Sequence, residues 1–186
     1  VALADGIPLV SNQIPFSLVD RRASGPLTDL CARYDVRLLA YGTLAGGFLS
    51  ERWLNQPEPQ EITDWSKMKY KRFIDAAGGW QVFQQVLQAA ADIAGKHGVS
   101  IANVATRWVL NQEAVAGVII GARLGEAQHG SDNAKLFDFS LDDEDQARLA
   151  AVFQLTTLLP GDCGDEYRKP PFLTASGDLS HHLDKL

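Results

Sequence analysis

The sequence predicts an α/β fold in which parallel strands alternate with helices. Three short runs of aliphatic residues are each followed by a segment whose apolar residues recur every three or four positions. Repeated strand–helix alternation is typical of parallel units joined by right-handed crossovers. Because three such strands would leave both edges of a sheet open, we expect the chain to be part of something larger.

The first half of the chain contains two predicted strands, a helix and a long loop. Ile7 to Phe16 is predicted as a strand that passes into a loop, since Pro15 discourages further pairing. A helix is predicted over Pro26 to Asp35, and Val36 to Tyr41 is short and mostly apolar, as strands buried on both faces are. We interpret Gly42 to Gly78 as a long irregular loop, of a length that is usually functional or partly disordered.

The helical period returns in the middle of the chain. An apolar face begins at Trp80, and Gly98 fits the cap at the C-terminal end of that helix. Ser100 is the predicted N-cap of a second helix. Val115 to Gly121 is then predicted as the third strand.

The C-terminal part predicts two more helices and an irregular tail. One helix is predicted over Glu126 to Phe137, and the next begins at Ser140, with Asp143 completing a capping box. After Leu159 the chain becomes rich in Pro, Gly and Asp. We therefore divide the chain into a folded unit over residues 1–159 and a tail over residues 160–186.

Length and composition are those of one soluble globular domain. The chain has 186 residues, of which 46% are hydrophobic and 22% charged. A formal charge of −6 argues against general nucleic-acid binding, because no basic stripe is available to neutralise phosphates. No apolar run approaches the ~20 residues of a membrane span, and no signal-peptide pattern opens the chain. Cys31 and Cys163 lie far apart and form no CxxC motif or Cys/His cluster, so we expect no disulfide framework and no metal site. The low cysteine content fits a reducing compartment, and we therefore expect a cytoplasmic location.

The segment from Val118 to Asn133 predicts a ligand site. Its apolar run ends in Gly-Ala-Arg, and a polar stretch of helical character follows. Helix N-termini offer free N–H donors and a favourable dipole, which is why phosphate groups commonly bind there. The segment thus indicates a nucleotide without indicating a reaction.

Blocks along most of the chain resemble the C-terminal half of an aldo-keto reductase. The blocks are SNQIPFSLVDRR (Ser11 to Arg22), LLAYGTLAGGFLS (Leu38 to Ser50), SIANVATRWVL (Ser100 to Leu110) and IIGAR…DN (Ile119 to Asn133). They occur in the family's order and spacing as far as about Leu155. The resemblance implies part of a TIM (β/α)8 barrel, with the predicted strands as its sixth, seventh and eighth. It also implies hydride transfer from NADPH to a small aldehyde or ketone.

The resemblance assigns cofactor contacts residue by residue. Gln13 would hydrogen-bond the nicotinamide carboxamide, and the ring of Tyr41 would stack on the nicotinamide. The backbone of Gly42, Leu44 and Gly46 would line the pyrophosphate. Gly121, Ala122 and Arg123 would approach the adenosine phosphates, and Asn133 would approach the adenine. Without the resemblance, Tyr41 would be interpreted as rim packing, Arg123 as a solvated residue and Gln13 as a partner of loop backbone.

Two departures from the family pattern concern the phosphates. Relatives often have Y-S-P-L where this chain has Y-G-T-L, so a serine contact to phosphate is lost at Gly42. His129 stands where many members carry Arg or Gln, which leaves Arg123 as the main candidate for a 2′-phosphate contact. The choice of NADP over NAD is therefore an inference from family habit.

The family's catalytic Asp, Tyr, Lys and His come from the first half of the barrel, and the matched blocks contain none of them. A proton donor must lie within hydrogen-bond reach of the carbonyl oxygen. We therefore expect that this chain does not catalyse the reaction alone. Two function classes stay open: the cofactor-binding half of a reductase, or a non-catalytic half-barrel that binds nucleotide or needs a partner. Self-association, or pairing with a missing N-terminal half, is expected in either case.

The tail and three tryptophans carry separate hypotheses. Cys163, Tyr167, Arg168 and Phe172 form an aromatic and cationic set suited to a polar carbonyl compound. Deleting residues after Leu159 from a complete enzyme is predicted to change substrate preference more than cofactor affinity. Trp53, Trp65 and Trp80 either line a substrate mouth or cover apolar surface, and the sequence favours neither.

Overall fold

A three-stranded parallel sheet organises the chain, which the computed structural model describes at residue 3, over residues 5–121 and over residues 129–173. The strands are β1 (Ser11–Pro15), β2 (Arg37–Tyr41) and β3 (Val115–Ile119), and β2 lies between the other two. In the parallel register Tyr41 lies opposite both Pro15 and Ile119, so the strands end at the same edge. The predicted α/β fold with parallel strands is confirmed.

Helices connect and flank the strands. They are α1 (Pro26–Arg33), α2 (Trp65–Ala76), α3 (Gly79–His97), α4 (Ile101–Leu110), α5 (Gly130–Ala134) and α6 (Asp143–Phe153). Short 3-10 turns occur at Ala45–Gly47, Glu51–Trp53, Lys135–Phe137 and Asp165–Tyr167. Within the described residues, no helix combines the length and the apolarity that a bilayer span requires.

The interpretation of residues 42–78 as one irregular loop is wrong, because α2 lies within it. The side chain of Asp64 accepts a hydrogen bond from the backbone N–H of Lys67 at 2.9 Å and begins the helix. Tyr70, Phe73 and Ile74 then bury one face of the helix. The run of charged residues between them obscured this apolar period in the sequence.

The predicted caps of the two central helices are confirmed. Gly98 adopts the left-handed conformation at the end of α3, with φ of 67°. The Ser100 side chain accepts a hydrogen bond from the backbone N–H of Asn103 at 3.2 Å at the start of α4. The helix predicted over 126–137 is confirmed only in its second part, since residues 122–128 lie outside the described chain.

The prediction that the last helix begins at Ser140 is wrong. Asp142 is the N-cap of α6, and its carboxylate accepts from the backbone N–H of Asp145 at 3.0 Å. Asp145 in turn accepts from the backbone N–H of Asp142 at 3.1 Å, which completes the capping box two residues later than expected. A carboxylate can satisfy a free N–H as well as a serine hydroxyl can, so the sequence offered two competing caps.

An aromatic cluster fills the core beside the loop that follows β2. Phe48 contacts Trp53, Trp80 and Phe83, with ring centroids 4.9 to 6.2 Å apart. The indole N–H of Trp80 donates to the backbone oxygen of Gln56 at 2.9 Å. Trp53 and Trp80 therefore cover the core instead of lining a substrate mouth, whereas Trp65 is 65% exposed.

The described part of the tail, residues 160–173, folds back over the C-terminal ends of the strands, and we call it the C-terminal arm. Phe172 anchors its far end against Phe73, with ring centroids 4.9 Å apart. A guanidinium nitrogen of Arg72 also donates to the backbone oxygen of Phe172 at 3.0 Å. Phe172 is thus a packing residue, not part of a ligand-binding set.

Candidate functional site

A cavity of about 490 Å³ lies between the C-terminal ends of β1 and β2 and the C-terminal arm. Its size is that of a small-molecule site, and its place is the one where parallel α/β folds bind their ligands. The polar and titratable residues that line it include Gln13, Arg22, Tyr41, Cys163, Tyr167 and Arg168. The cavity therefore combines residues from the sheet with residues from the arm.

Tyr41 and Tyr167 meet at the wall of this cavity. Their hydroxyl oxygens are 2.7 Å apart. Burial is the main cause that raises the pKa of Tyr41 well above its ordinary value, and the hydrogen bond to Tyr167 adds to it. Tyr41 consequently stays a neutral phenol that can donate a hydrogen bond.

Lys69 of α2 reaches the same pair of hydroxyls. Its Nζ donates to the hydroxyl of Tyr167 at 2.6 Å, and the residue is only 7% exposed. Four aromatic rings surround the ammonium group, the nearest being Tyr167 at 4.4 Å from the ring centroid. In the described part of the chain, no carboxylate forms an ion pair with Lys69.

Arg22 ties the arm to the loop that follows β1. Its guanidinium forms ion pairs with Asp20 at 2.7 Å and with Glu166 at 3.0 Å, and it donates to the backbone oxygen of Asp162 at 2.9 Å. The side chains of Arg22 and Glu166 are 3% and 0% exposed. Since both neighbouring carboxylates already balance its charge, Arg22 acts as an anchor.

Cys163 lines the cavity as a neutral thiol. Its sulfur lies 4.0 Å from the backbone oxygen of Pro15. Burial raises the pKa of the Cys163 thiol to about 12, with the nearby charge of Asp20 acting in the same direction. A thiol held in its protonated form is a poor nucleophile, so Cys163 is a wall residue.

The structure brings together two of the residues assigned to the cofactor. Gln13 and Tyr41 both line the cavity. Gly42, Leu44 and Gly46 lie in the loop after β2 and are not among the residues lining it. A Cβ at Gly42 would lie 2.3 Å from the Tyr70 hydroxyl, and one at Gly46 would lie 2.8 Å from the Tyr70 ring. Tyr70 therefore covers this loop, whose contact with a pyrophosphate stays a prediction.

The residues assigned to the adenosine end are not gathered at the cavity. Gly121 is exposed beyond the end of β3, and Asn133 is half-buried in α5. Ala122 and Arg123 lie outside the described residues. Their roles stay predictions.

Sequence reasoning missed Lys69 and the two ion-pair partners Arg22 and Glu166. Lys69 lay in the segment interpreted as a loop, although Phe73 follows it by four residues and would share its helix face. A periodicity count over that segment could have found it. No local signal pairs Arg22 with Glu166, because the contact joins residues far apart in the chain.

Comparison with known proteins decides the family. A model of the aldo/keto reductase family matches residues 1–154. The chain belongs to the aldo/keto reductase family. Together with the three parallel strands, this confirms that the fold is part of the aldo/keto reductase TIM barrel.

Two curated relatives of this aldo/keto reductase chain are longer than it is. The flagellar radial spoke protein 5 of Chlamydomonas reinhardtii is 36% identical over 114 residues, which is 59% of this chain and 21% of that protein. The protein Tas of Escherichia coli is 29% identical over 149 residues, which is 80% of this chain and 41% of that protein. The chain therefore spans less than half the length of these relatives.

Solved structures of aldo/keto reductases show the same fold. A glycerol dehydrogenase from Gluconobacter oxydans superposes with a TM-score of 0.63 at 21% identity, covering 83% of this chain and 45% of that one. An aldo/keto reductase from Klebsiella pneumoniae, solved with NADP and acetate, gives a TM-score of 0.51 at 17% identity and covers 81% and 42%. The matches again cover less than half of each complete barrel.

Proposed function

We propose that this chain supplies the cofactor-binding half of an NADP-dependent reductase that transfers hydride to an aldehyde or ketone. The observation that carries the proposal is the position of Gln13 and Tyr41, which line one cavity at the C-terminal ends of neighbouring strands. An amide side chain beside an aromatic ring suits a nicotinamide, because the amide can pair with the carboxamide and the ring can stack on the pyridine. Bound NADPH would supply the hydride.

The fit is better at the nicotinamide end than at the pyrophosphate end. The cavity of about 490 Å³ can hold a nicotinamide and a small carbonyl compound, but not a whole dinucleotide. The loop that would line the pyrophosphate carries Tyr70 against Gly42 and Gly46. The proposal therefore rests on the nicotinamide end, where Gln13 and Tyr41 line the cavity.

The test is NADPH binding by the purified chain, followed by nicotinamide fluorescence. Gln13→Ala is expected to weaken binding about fivefold, since one hydrogen bond is worth ~1 kcal/mol. Gln85→Ala, which truncates an exposed glutamine of α3, is the matched control and should bind as the unaltered chain does. Absence of NADPH binding by the unaltered chain would reject the proposal.

A second candidate function is a non-catalytic module that completes a larger assembly. The similarity to a flagellar radial spoke protein favours it, as do the outer edges of β1 and β3, which pair with no further strand in the described residues. NADPH binding without oxidation in the presence of an aromatic aldehyde would favour this module over the reductase.

A further inference from the structure

Lys69 holds a positive charge beside the ring that is proposed to stack on the nicotinamide. The residue is only 7% exposed, and its Nζ lies 5.4 Å from the centroid of the Tyr41 ring. The same nitrogen donates a hydrogen bond of 2.6 Å to the hydroxyl oxygen of Tyr167. Helix α2 and the C-terminal arm thus hold the ammonium group close to Tyr41.

No carboxylate in the described part of the chain forms an ion pair with this ammonium group, and four aromatic rings surround it. Arg22 differs, because Asp20 and Glu166 both bind its guanidinium. Charges below a protein surface are screened much less than exposed ones. The charge of Lys69 therefore acts on groups several ångströms away.

The two redox forms of a nicotinamide cofactor differ by one charge at the ring itself. The oxidised ring is a pyridinium cation and the reduced ring is neutral, whereas the phosphates, riboses and adenine are the same in both. Stacked rings have centroids ~4.5 Å apart, so a ring stacked on Tyr41 would lie within about 10 Å of Lys69. Two like charges at that separation repel even at an effective dielectric constant of ~20.

We propose that Lys69 makes the site prefer the reduced cofactor, because its charge repels the nicotinamide ring of NADP⁺ and not that of NADPH. The inference rests on the proposed function, which puts the nicotinamide on Tyr41. Lys69 determines which cofactor form binds and takes no part in moving a hydride or a proton. Its expected contribution is about tenfold in the ratio of the two dissociation constants.

Other charges near the cavity set the background of this preference. Arg22 and its two carboxylates form one group with a net negative charge, which attracts a pyridinium ring. Asp162 and Arg168 also line the cavity, but both are exposed and their charges are opposite. A substitution at Lys69 leaves all of these in place, so the change in the ratio measures the charge of Lys69 alone.

A preference for the reduced form affects turnover in two ways. NADP⁺ would leave the site more readily than NADPH, so product inhibition by NADP⁺ would be weak. Hydride donation would become slightly less favourable, because a tenfold stabilisation of the reduced form raises the reduction potential of the bound two-electron couple by about 30 mV.

The experiment measures the Kd of NADPH and the Kd of NADP⁺ for the full chain by titration calorimetry. Lys69→Met removes the charge, so the ratio of the NADP⁺ Kd to the NADPH Kd should fall about tenfold. Lys69→Arg keeps the charge and should keep the ratio. Lys69→Gln is a second neutral variant that can still donate a hydrogen bond to Tyr167. An unchanged ratio in the neutral variants would overturn the inference.

Two control variants separate the charge of Lys69 from packing and from net charge. Tyr167→Phe removes the hydrogen-bond acceptor of Lys69 but keeps the charge, so the ratio should stay within about twofold of that of the unaltered chain. Lys169→Met removes an arm charge that is 65% exposed and paired with Asp165, and should leave the ratio unchanged. An equal fall of the ratio in Tyr167→Phe and Lys69→Met would mean that Lys69 only packs the arm, and would overturn the inference.

The same titrations distinguish the inference from the proposed function. NADPH binding with a ratio that depends on Lys69 supports both. NADPH binding with a ratio that does not depend on Lys69 overturns the inference and leaves the cofactor site standing. Absence of NADPH binding by the unaltered chain rejects the proposed function, and the inference with it.

Discussion

Arg22 and Glu166 form a buried ion pair, with Nη1 of the guanidinium 3.0 Å from Oε2 of the carboxylate. Arg22 belongs to the loop after β1, and Glu166 belongs to the C-terminal arm. The pair therefore joins the two walls of the candidate cavity. The contribution of this ion pair to the stability of the arm can be measured without knowledge of any ligand.

Glu166→Gln is expected to release the arm while the rest of the fold persists. Removing one partner from a buried ion pair costs ~3 kcal/mol or more, because the remaining charge loses its compensation. Arg22 keeps Asp20, so the loss should fall at the lower end of that range. Hydrogen exchange over residues 160–173 should rise, with smaller changes in α3 and α4.

The control for this variant is Glu144→Gln. Glu144 also pairs with a cation, Lys96, but its side chain is 71% exposed. Exposed pairs contribute little, so exchange in the arm should stay as it is in the unaltered chain. If Glu166→Gln behaved like this control, the ion pair would not hold the arm.

Asp145 makes the folding stability depend on pH in the acid range. Burial disfavours its charged form, but hydrogen bonds from His97, Lys96 and the backbone of Asp142 outweigh burial and lower the pKa of Asp145 below its ordinary value. Hydrogen bonding to Lys96 also lowers the pKa of Asp142, to about 2. A carboxyl whose pKa is lower in the folded state than in the unfolded state stabilises the fold at pH values above its unfolded pKa of ~4. This stabilisation is lost as the pH falls through the pKa of the folded state.

The urea midpoint of the unaltered chain should therefore fall between pH 4 and pH 2, with the loss beginning at the unfolded value of ~4. Asp145→Asn should lower the midpoint at pH 7 and make it less dependent on pH. Asp35→Asn is the control, because Asp35 is 83% exposed in its pair with Arg37. An unchanged acid dependence in Asp145→Asn would show that another group is responsible.

Gly42→Ala is expected to destabilise the chain by about 3 kcal/mol, from a strained backbone and an overlap with Tyr70. Gly42 has a φ of +66°, and its added Cβ would lie 2.3 Å from the Tyr70 hydroxyl. Gly47→Ala separates these causes: its φ is +89°, but nothing lies within 4 Å of the added Cβ. It should therefore cost only ~1 kcal/mol, from backbone strain.

Thermal unfolding of both glycine variants provides the measurement. Tyr70→Phe added to Gly42→Ala should recover part of the loss, because the closest overlapping atom is removed. If the two alanine variants melted at the same temperature, Tyr70 would not press against this loop in solution.

Trp80→Phe is expected to destabilise the chain by about 2 kcal/mol. The change removes the hydrogen bond from the indole to Gln56, worth ~1 kcal/mol, and leaves a void beside Phe48 and Trp53 of comparable cost. Leu158→Ala truncates a side chain that is 60% exposed and should change stability by less than ~0.5 kcal/mol. Urea unfolding of the two variants tests whether Trp80 belongs to the core.

The sequence predicted the elements whose causes are local. Strand β2 is a short apolar run, α3 ends at a glycine in the left-handed conformation, and α4 begins at a serine cap; each follows from a few neighbouring residues. Helix α2 was missed although its signal is also local, because charged residues separate its apolar positions.

The candidate site was predictable only on the side of the sheet. Tyr41 ends β2 and Gln13 lies in the middle of β1, and both line the cavity at the edge where the fold class itself places ligands. Tyr167 and Lys69 meet through the path of the arm, which has little regular structure and is fixed by contacts with distant residues. Such contacts leave no periodic trace in a single sequence.

The C-terminal arm can close only after the described sheet has been synthesised. Neighbours in the sheet are consecutive along the chain, so each strand can dock on the previous one as soon as it is synthesised. The arm instead closes on partners made long before it: 148 residues separate Cys163 from Pro15, and 126 separate Tyr167 from Tyr41. A nascent chain can therefore hold the described sheet and helices before the arm closes the candidate cavity over the ends of β1 and β2.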